Sequence, residues 1–157
     1  MPGGVTAVAR SGEGLALYRR RAPSPGGEHV LLPGEQEFGP WAFGVSEGAF
    51  DAREAARPEV AYLDASLGPY RVRTVREGDT IRPLGLGGTK KVYKAMKDRK
   101  VPRDVRLRMP VVVDRHGEVA WVPLGELDEG HKVVAAVVVG GGREQAVRLE
   151  VLRSAWR

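Results

Sequence analysis

One stretch, residues 78–110, restricts the fold of this chain more than any other because glycines and prolines divide it into short pieces. A glycine-rich loop at 85–88 precedes a helix-like segment, which is predicted to run from 90 to about 99. Pro102 suits the first turn of a second short helix because proline has no N–H to lose there. Pro110 ends that helix because it disfavours the α conformation of the residue before it.

The first predicted helix has two chemically different faces. Thr89 is its candidate N-cap. Val92, Tyr93 and Met96 recur at helical spacing and are predicted to face a core. A second face has few acids nearby and contains Lys90, Lys94 and Lys97. Lysines near the end of a helix also suit its dipole, so a merely solvated face is the alternative to a binding face.

Basic charge is concentrated around these helices. From Arg71 to Arg108 the chain has thirteen basic and four acidic residues, a net charge of +9, whereas the whole chain has a net charge of +5. The remaining residues therefore have a net charge of −4. Such asymmetry favours a partner rich in phosphates. Arg71 and Arg73 are predicted to project together from a strand beside the basic loop.

The rest of the chain alternates between short apolar segments and turns. Strands are predicted at 5–9, 15–18, 29–32, 38–45, 70–76, 111–113, 118–122, 131–139 and 145–153. The predicted fold class is α+β, mainly antiparallel β hairpins with one short helical excursion at about 90–109. An N-terminal β-rich region with a linker is expected at 1–58, followed by a second domain at 59–157.

Several short motifs follow one another between residues 78 and 122. They are Gly78-Asp79, Arg82-Pro83-Leu84-Gly85, Gly88, Lys90-Lys91, Lys100-Val101-Pro102-Arg103, Arg106, Pro110-Val111 and Trp121-Val122. In order and spacing this series resembles the C-terminal domain of bacterial tRNA(Ile)-lysidine synthetase. The resemblance identifies 59–157 as a lysidine-synthetase C-terminal-like domain. It implies that the chain grips tRNA through phosphate and shape contacts.

The same resemblance implies that this chain has no catalytic activity of its own. The enzyme family uses ATP to join lysine to a cytidine of an isoleucine tRNA, and its nucleotide signature S-G-G-x-D-S does not occur in this sequence. Neither catalytic residues nor a cofactor are therefore predicted. A catalytic PP-loop domain or subunit is a candidate partner besides tRNA. Whether the chain is free-standing or a piece of a synthetase stays open.

Basic side chains are the candidate site residues because duplex RNA is recognised mainly through its backbone and 2′-OH groups. The predicted tRNA contacts are Arg82, Lys90, Lys91, Lys94, Lys97, Lys100, Arg103 and Arg106. A glycine loop that opens onto a helix N-terminus can bind a phosphate through backbone N–H groups. Gly87 and Gly88 are therefore the predicted phosphate loop.

Other chemistries have little support in the sequence. Thr89 separates Gly88 from Lys90, so the P-loop pattern for nucleotide hydrolysis is broken. The three histidines are isolated and lack metal-ligand spacing, so no metal site is predicted. Asp128 and Glu129 are predicted to lie in a solvated turn without a partner for proton transfer.

A protein-interaction module is the alternative function, docking through an exposed, valine-rich edge strand near the C-terminus. The salt dependence of RNA binding distinguishes the two functions, because only phosphate contacts release counterions. The sequence has no cysteine and no apolar stretch of membrane-spanning length. We therefore expect a cytoplasmic location and no membrane partner.

Overall fold

The computed structural model describes residues 27–133 and 146–156, which form two four-stranded sheets and a two-stranded ribbon. All the strand pairs in them are antiparallel. The predicted α+β fold class with mainly antiparallel strands is therefore confirmed. The predicted strands at 5–9 and 15–18, and the one at 131–139 from residue 134 onward, lie outside the described residues.

The first sheet supports the basic stretch. In spatial order its strands are β1 (His29–Val30), β5 (Arg71–Thr74), β8 (Pro110–Val113) and β9 (Val119–Trp121). Every residue of β8 is buried, so both faces of this strand are covered. The turn between β8 and β9 is closed by a hydrogen bond from the Gly117 N–H to the Asp114 carbonyl, at 3.0 Å. Gly117 has a φ of 84°, which glycine adopts without strain.

The second sheet contains, in spatial order, β2 (Gly34–Phe38), β3 (Trp41–Gly48), β10 (Ala146–Arg153) and β4 (Val60–Asp64). The single strand predicted at 38–45 is wrong, because the chain reverses at Gly39, where φ is 59°, and forms a hairpin. Strand β10 is an inner strand: Leu149 pairs with Val45 on one side and with Ala61 on the other. The last described strand is therefore not an exposed edge, whereas most of the valine-rich segment at 131–139 lies outside the described residues.

One apolar core includes residues from both sides of residue 58. Trp41 and Phe43 stack with their ring centroids 6.1 Å apart, and they belong to the same buried cluster as Met96 and Val111. Burial of such side chains is the dominant favourable contribution to folding. The division of the chain at residue 58 stays a prediction, and in the described part both sides of it share this core and the second sheet.

The described residues form three short α-helices, α1 (Ala52–Ala55), α2 (Val92–Asp98) and α3 (Arg103–Arg106), and two 3-10 helices, Ala65–Leu67 and Glu129–His131. The excursion predicted at about 90–109 is present, but its helices are shorter. Lys90 and Lys91 instead form β7 (Lys90–Lys91), paired with β6 (Thr80–Ile81), because this tertiary pairing overrides local helix propensity. Lys91 is the N-cap of α2, so the prediction of Thr89 as N-cap is wrong. None of the described helices is long and apolar enough to cross a membrane.

Candidate nucleic-acid interface

Helix α2 is attached to the core by one face. Val92 and Met96 are buried, with 0% and 2% of their surfaces exposed, as the sequence predicts. The Val92 N–H also donates a hydrogen bond to the carbonyl oxygen of Asp79, at 2.9 Å, which fixes the start of the helix to the preceding turn. The opposite face presents Lys94 and Lys97 to solvent.

The turn that holds α2 is organised by a buried ion pair. The Arg73 guanidinium donates from Nη1 and Nη2 to the two carboxylate oxygens of Asp79, at 2.9 Å each. The same carboxylate accepts a hydrogen bond from the Arg76 N–H at 2.8 Å. Arg73 is only 4% exposed, so the prediction that it projects together with Arg71 beside the basic loop is wrong for Arg73. A bidentate pair of this kind specifies geometry as well as charge.

The corner between α2 and α3 is held by backbone hydrogen bonds. The Lys100 N–H donates to the Lys97 carbonyl at 2.9 Å, and the Val101 N–H donates to the Met96 carbonyl at 3.0 Å. These two bonds are those of a Schellman motif. The Arg106 guanidinium donates to the Val101 carbonyl at 2.8 Å, so this predicted tRNA contact also braces the corner. The cations around the corner therefore lie on a well-defined backbone.

An acid at the end of α2 neutralises two of the predicted contacts. The Lys90 ammonium lies 2.6 Å from one carboxylate oxygen of Asp98, and the Lys94 ammonium lies 3.3 Å from the other. The hydrogen bond from Lys90 is the main cause that lowers the pKa of Asp98. The prediction of a lysine face with few acids nearby is therefore wrong, because Asp98 lies one helical turn beyond Lys94 and also reaches Lys90 in β7.

Four of the predicted contacts are exposed and make no ion pair within the part of the chain that the structure describes. They are Lys91, Lys97, Lys100 and Arg103. In the order given, the first precedes α2, the second lies in α2, the third lies at the corner between the helices and the fourth is the first residue of α3. We call these four residues the corner cations. Because no described acid forms an ion pair with them, they are available to neutralise phosphates.

Arg82 has a partner in the protein, although about half of its side chain is exposed. Its Nη2 lies 2.9 Å from Oδ2 of Asp128, its Nε lies 3.2 Å from Oδ1, and its backbone N–H donates to Oδ1 at 2.8 Å. The side-chain hydrogen bond to Asp128 raises the pKa of Arg82. Asp128 is 2% exposed, so the predicted solvated turn is wrong for this residue. Arg82 therefore fastens the basic stretch to a distant loop.

Asp128 also belongs to a buried polar cluster. The Nδ1 atom of His131 lies 2.8 Å from Oδ2 of Asp128, and its Nε2 atom lies 2.8 Å from Oδ2 of Asp114. All three side chains are at most 4% exposed, so the cluster ties loops together rather than presenting groups to a substrate. The sequence gives no local signal for it, because Asp114 and His131 are 17 positions apart. In the described ranges no three His, Cys, Asp or Glu side chains are arranged to hold a metal ion.

The glycine-rich loop leads into strand β7 rather than into a helix. The predicted opening of this loop onto a helix N-terminus is therefore wrong, because α2 begins only at Val92, whose N–H donates to the Asp79 carbonyl. Gly87 and Gly88 are nevertheless exposed, and Gly87 has a φ of 76°. Phosphate binding by these two glycines stays a prediction that would depend on the loop alone.

Comparison with known proteins agrees with the resemblance seen in the sequence. Residues 70–139 match the family of the TilS substrate C-terminal domain. The chain is 47% identical over 55 residues to the tRNA(Ile)-lysidine synthase of Geobacillus kaustophilus, 35% of this chain and 12% of that one. It is 31% identical over 126 residues to that of Bacillus cereus, 78% of this chain and 26% of that one. It is 38% identical over 101 residues to the tRNA(Ile)-lysidine synthase of Symbiobacterium thermophilum, and this match covers 60% of this chain and 20% of that one.

The chain thus spans between 12% and 26% of the length of these three curated relatives. Its fold is similar to that in a crystal structure of a TilS C-terminal domain, with a TM-score of 0.68 and 27% identity. That match covers 81% of this chain and 98% of the other. The structural match is longer than the family match, so part of it lies outside 70–139.

Proposed function

Because residues 70–139 match the TilS substrate C-terminal domain, we propose that this chain binds tRNA through phosphate and shape contacts and has no catalytic activity of its own. The relatives are named for an activity on tRNA(Ile), and the chain matches only a part of them. Its contribution is therefore to hold tRNA, while a catalytic PP-loop domain or subunit supplies the chemistry. Its cellular location is the cytoplasm, where tRNA is modified.

The corner cations are the observation that supports this proposal most. They are exposed, make no ion pair in the described residues and lie in or next to two short helices, of which α2 is anchored in the core by Val92 and Met96. Most contacts to duplex RNA are made to phosphates and 2′-hydroxyls, which exposed Lys and Arg side chains can reach. Lys90, Lys94, Arg82 and Arg106 add to the basic field, but each already has a partner within the protein.

A salt titration of tRNA binding tests the proposal. If about five phosphates are neutralised, the affinity should fall with a log–log slope of roughly −3 to −5, because each contact contributes about 0.7 to 0.9. Changing the corner cations to glutamine, K91Q/K97Q/K100Q/R103Q, should flatten that slope by about 3. Helix propensity is almost unchanged by these substitutions, and unpaired surface charges add little to stability. Fluorescence anisotropy with labelled tRNA measures both quantities.

Arg53 and Lys132 provide a matched control, because both are exposed cations outside the basic stretch. The double variant R53Q/K132Q should change the slope less, per charge removed, than the corner variant does. If the parent protein shows no tRNA binding at low salt, or a salt response that is flat, the proposal is wrong and the protein-interaction function gains support. If the two variants change the salt slope equally per charge removed, tRNA binding does not depend specifically on the corner cations.

A further inference from the structure

A groove lies where the last described residues of the chain meet the α2–α3 corner. It has a volume of about 820 Å³ and is lined by Arg99, Lys100, Pro102, Ser154, Ala155 and Trp156. The groove thus combines two cations with an aromatic side chain. Neither Arg99 nor Trp156 is among the contacts that the sequence predicts, because they are 57 positions apart and nothing local relates them.

Lys100 has a backbone conformation that does not suit its residue type. Its φ is 62°, in the left-handed region, at the first position beyond the C-cap Arg99. Glycine is the usual residue at this position of a Schellman motif because it has no Cβ to clash. The Lys100 side chain is exposed and has no ion-pair partner in the described residues. A favourable position at the end of the helix dipole is its one evident structural gain, so the strained backbone favours a further role in binding.

Trp156 differs from the other two tryptophans of the chain. Trp41 and Trp121 are 1% and 3% exposed, whereas Trp156 is only half-buried, packs against the core and lines the groove. The Ser154 hydroxyl donates to the Trp156 carbonyl, which helps to fix the turn that positions the indole. An accessible aromatic ring beside cations is the combination that binds a nucleobase and its phosphate together.

We propose that this groove binds an unpaired nucleotide of the RNA, with the base stacked on Trp156 and the phosphate bound by Lys100. Arg99 adds charge but is already 3.2 Å from a carboxylate oxygen of Glu126, so Lys100 is the principal phosphate contact. The nucleotide has to be unpaired, because bases within a duplex are stacked on each other and are not available to a side chain. This inference rests on the proposed function and names the RNA element that this groove recognises.

Two RNA probes test the inference on the full chain. One is a blunt RNA hairpin, and the other is the same hairpin with a short single-stranded run of adenosines. The parent protein should bind the second probe more tightly. Adenosine stacking should also quench tryptophan fluorescence, and this signal reports Trp156 because the other two tryptophans are buried.

Substitution of Trp156 separates stacking from packing. The variant W156L keeps an apolar side chain, and its preference for the extended hairpin should fall by about 5- to 150-fold, the range for one base–aromatic stack. It should bind the blunt hairpin as the parent does. The variant W156F keeps an aromatic face, so it should retain part of the preference while the fluorescence quenching disappears. The preference is a ratio measured on one protein, so it is insensitive to the fraction that is folded.

Substitution of Lys100 separates binding from folding. The variant K100G should have a melting temperature equal to or above that of the parent, because glycine suits the left-handed backbone. Its affinity for the extended hairpin should fall, and the salt slope should decrease by about 0.7, one single-strand contact. R53Q is the control, since it removes an exposed cation of α1 and should leave the preference unchanged.

The inference and the proposed function fail in different ways. If the parent binds both hairpins equally, or if W156L keeps the full preference, the groove does not bind an unpaired nucleotide, while RNA binding itself stands. If the parent binds neither hairpin nor tRNA, both are wrong. A K100G variant that is less stable than the parent would show that the lysine side chain supports the fold, which would also overturn the role assigned to it.

Discussion

Two groups of cations in the same basic stretch have different environments. Arg73 and Arg82 each donate two side-chain hydrogen bonds to one carboxylate, Asp79 or Asp128. The corner cations are exposed and have no acid partner in the described residues. In the first group, Arg73 holds the turn before α2 and Arg82 holds the loop at Asp128, whereas the second group is available to an outside ligand. A charge count over the stretch cannot separate these groups, because the difference lies in the partner and not in the cation.

The comparison also shows how the proposed binding surface is positioned. Asp79 links the two groups directly, since its carboxylate binds Arg73 and its carbonyl accepts the first N–H of α2. A fixed start to α2 in turn fixes the direction in which Lys97 projects. Pre-organised contacts lose less entropy on binding than mobile ones do. Arg73 would therefore support the proposed tRNA binding without touching the RNA.

The largest loss of stability is expected when the buried ion pair between Arg73 and Asp79 is broken. The variant R73M leaves the carboxylate of Asp79, which is 12% exposed, without its cation. Removal of one partner from a buried pair typically costs about 3–5 kcal/mol of unfolding free energy. Chemical denaturation measures this loss. The double variant R73M/D79N should recover part of it, because the uncompensated charge is gone and Asn can still accept from the Arg76 N–H. A cost for R73M below about 1 kcal/mol would place Arg73 with the surface cations instead.

A loss of stability of intermediate size is expected when the pH is lowered. Burial opposes the charged forms of Asp114 and Asp128, but hydrogen bonds outweigh it, chiefly from His131 to the first and from Arg82 to the second, and lower both pKa values. The unfolded chain then binds more protons than the native state below about pH 4, the usual range for Asp. The stabilisation is therefore complete above that pH and is lost as the pH falls towards the lowered values.

Thermal unfolding between about pH 6 and pH 3 measures this dependence. The variant D128N keeps the shape of the side chain but cannot ionise, so it should be less stable than the parent at neutral pH and lose less stability in acid. Equal losses in acid for the parent and D128N would assign the effect to other carboxylates. RNA binding by the folded variant should persist at neutral pH, since Asp128 is buried away from any ligand.

The smallest expected effect is a gain in tRNA affinity, whereas the changes above reduce stability. Asp98 engages Lys90 and Lys94. The variant D98N should release both lysines, which makes the tRNA salt slope steeper by about one contact and raises the affinity by a few-fold at low salt. The melting temperature should hardly change, because Asp98 is exposed. The variant E47Q, which neutralises an exposed acid of β3, is the control. Equal gains for D98N and E47Q would mean that only net charge matters.

Local patterns were sufficient for the elements that depend on neighbours in sequence. Alternation at 70–76 and 118–122 predicts β5 and β9, and the spacing of Val92 and Met96 predicts the buried face of α2. The Gly117 turn follows from turn chemistry alone. In each case the determining interactions lie within a few residues, so a single sequence contains the information.

Long-range partners decided what the sequence did not predict. Arg82 and Asp128 are 46 positions apart, and no periodicity relates them. Lys90 looks helical by composition but pairs with Ile81 across a ribbon. The groove at Trp156 depends on where the last described strand ends relative to the α2–α3 corner. These features come from the packing of sheets, which fixes pairs of residues that local propensity cannot select.

The inner position of β10 has a consequence for how the chain folds. Leu149 has to insert between Val45 and Ala61, and it is separated from Val45 by about a hundred residues, a contact of the long-range kind that slows folding. The β2–β3 hairpin can form early from local contacts, but β3 and β4 keep unpaired edges until β10 arrives. Open strand edges are sites of intermolecular association. Substitutions that weaken β10 are therefore expected to reduce the yield of folded protein on refolding at high concentration before they reduce the stability of molecules already folded.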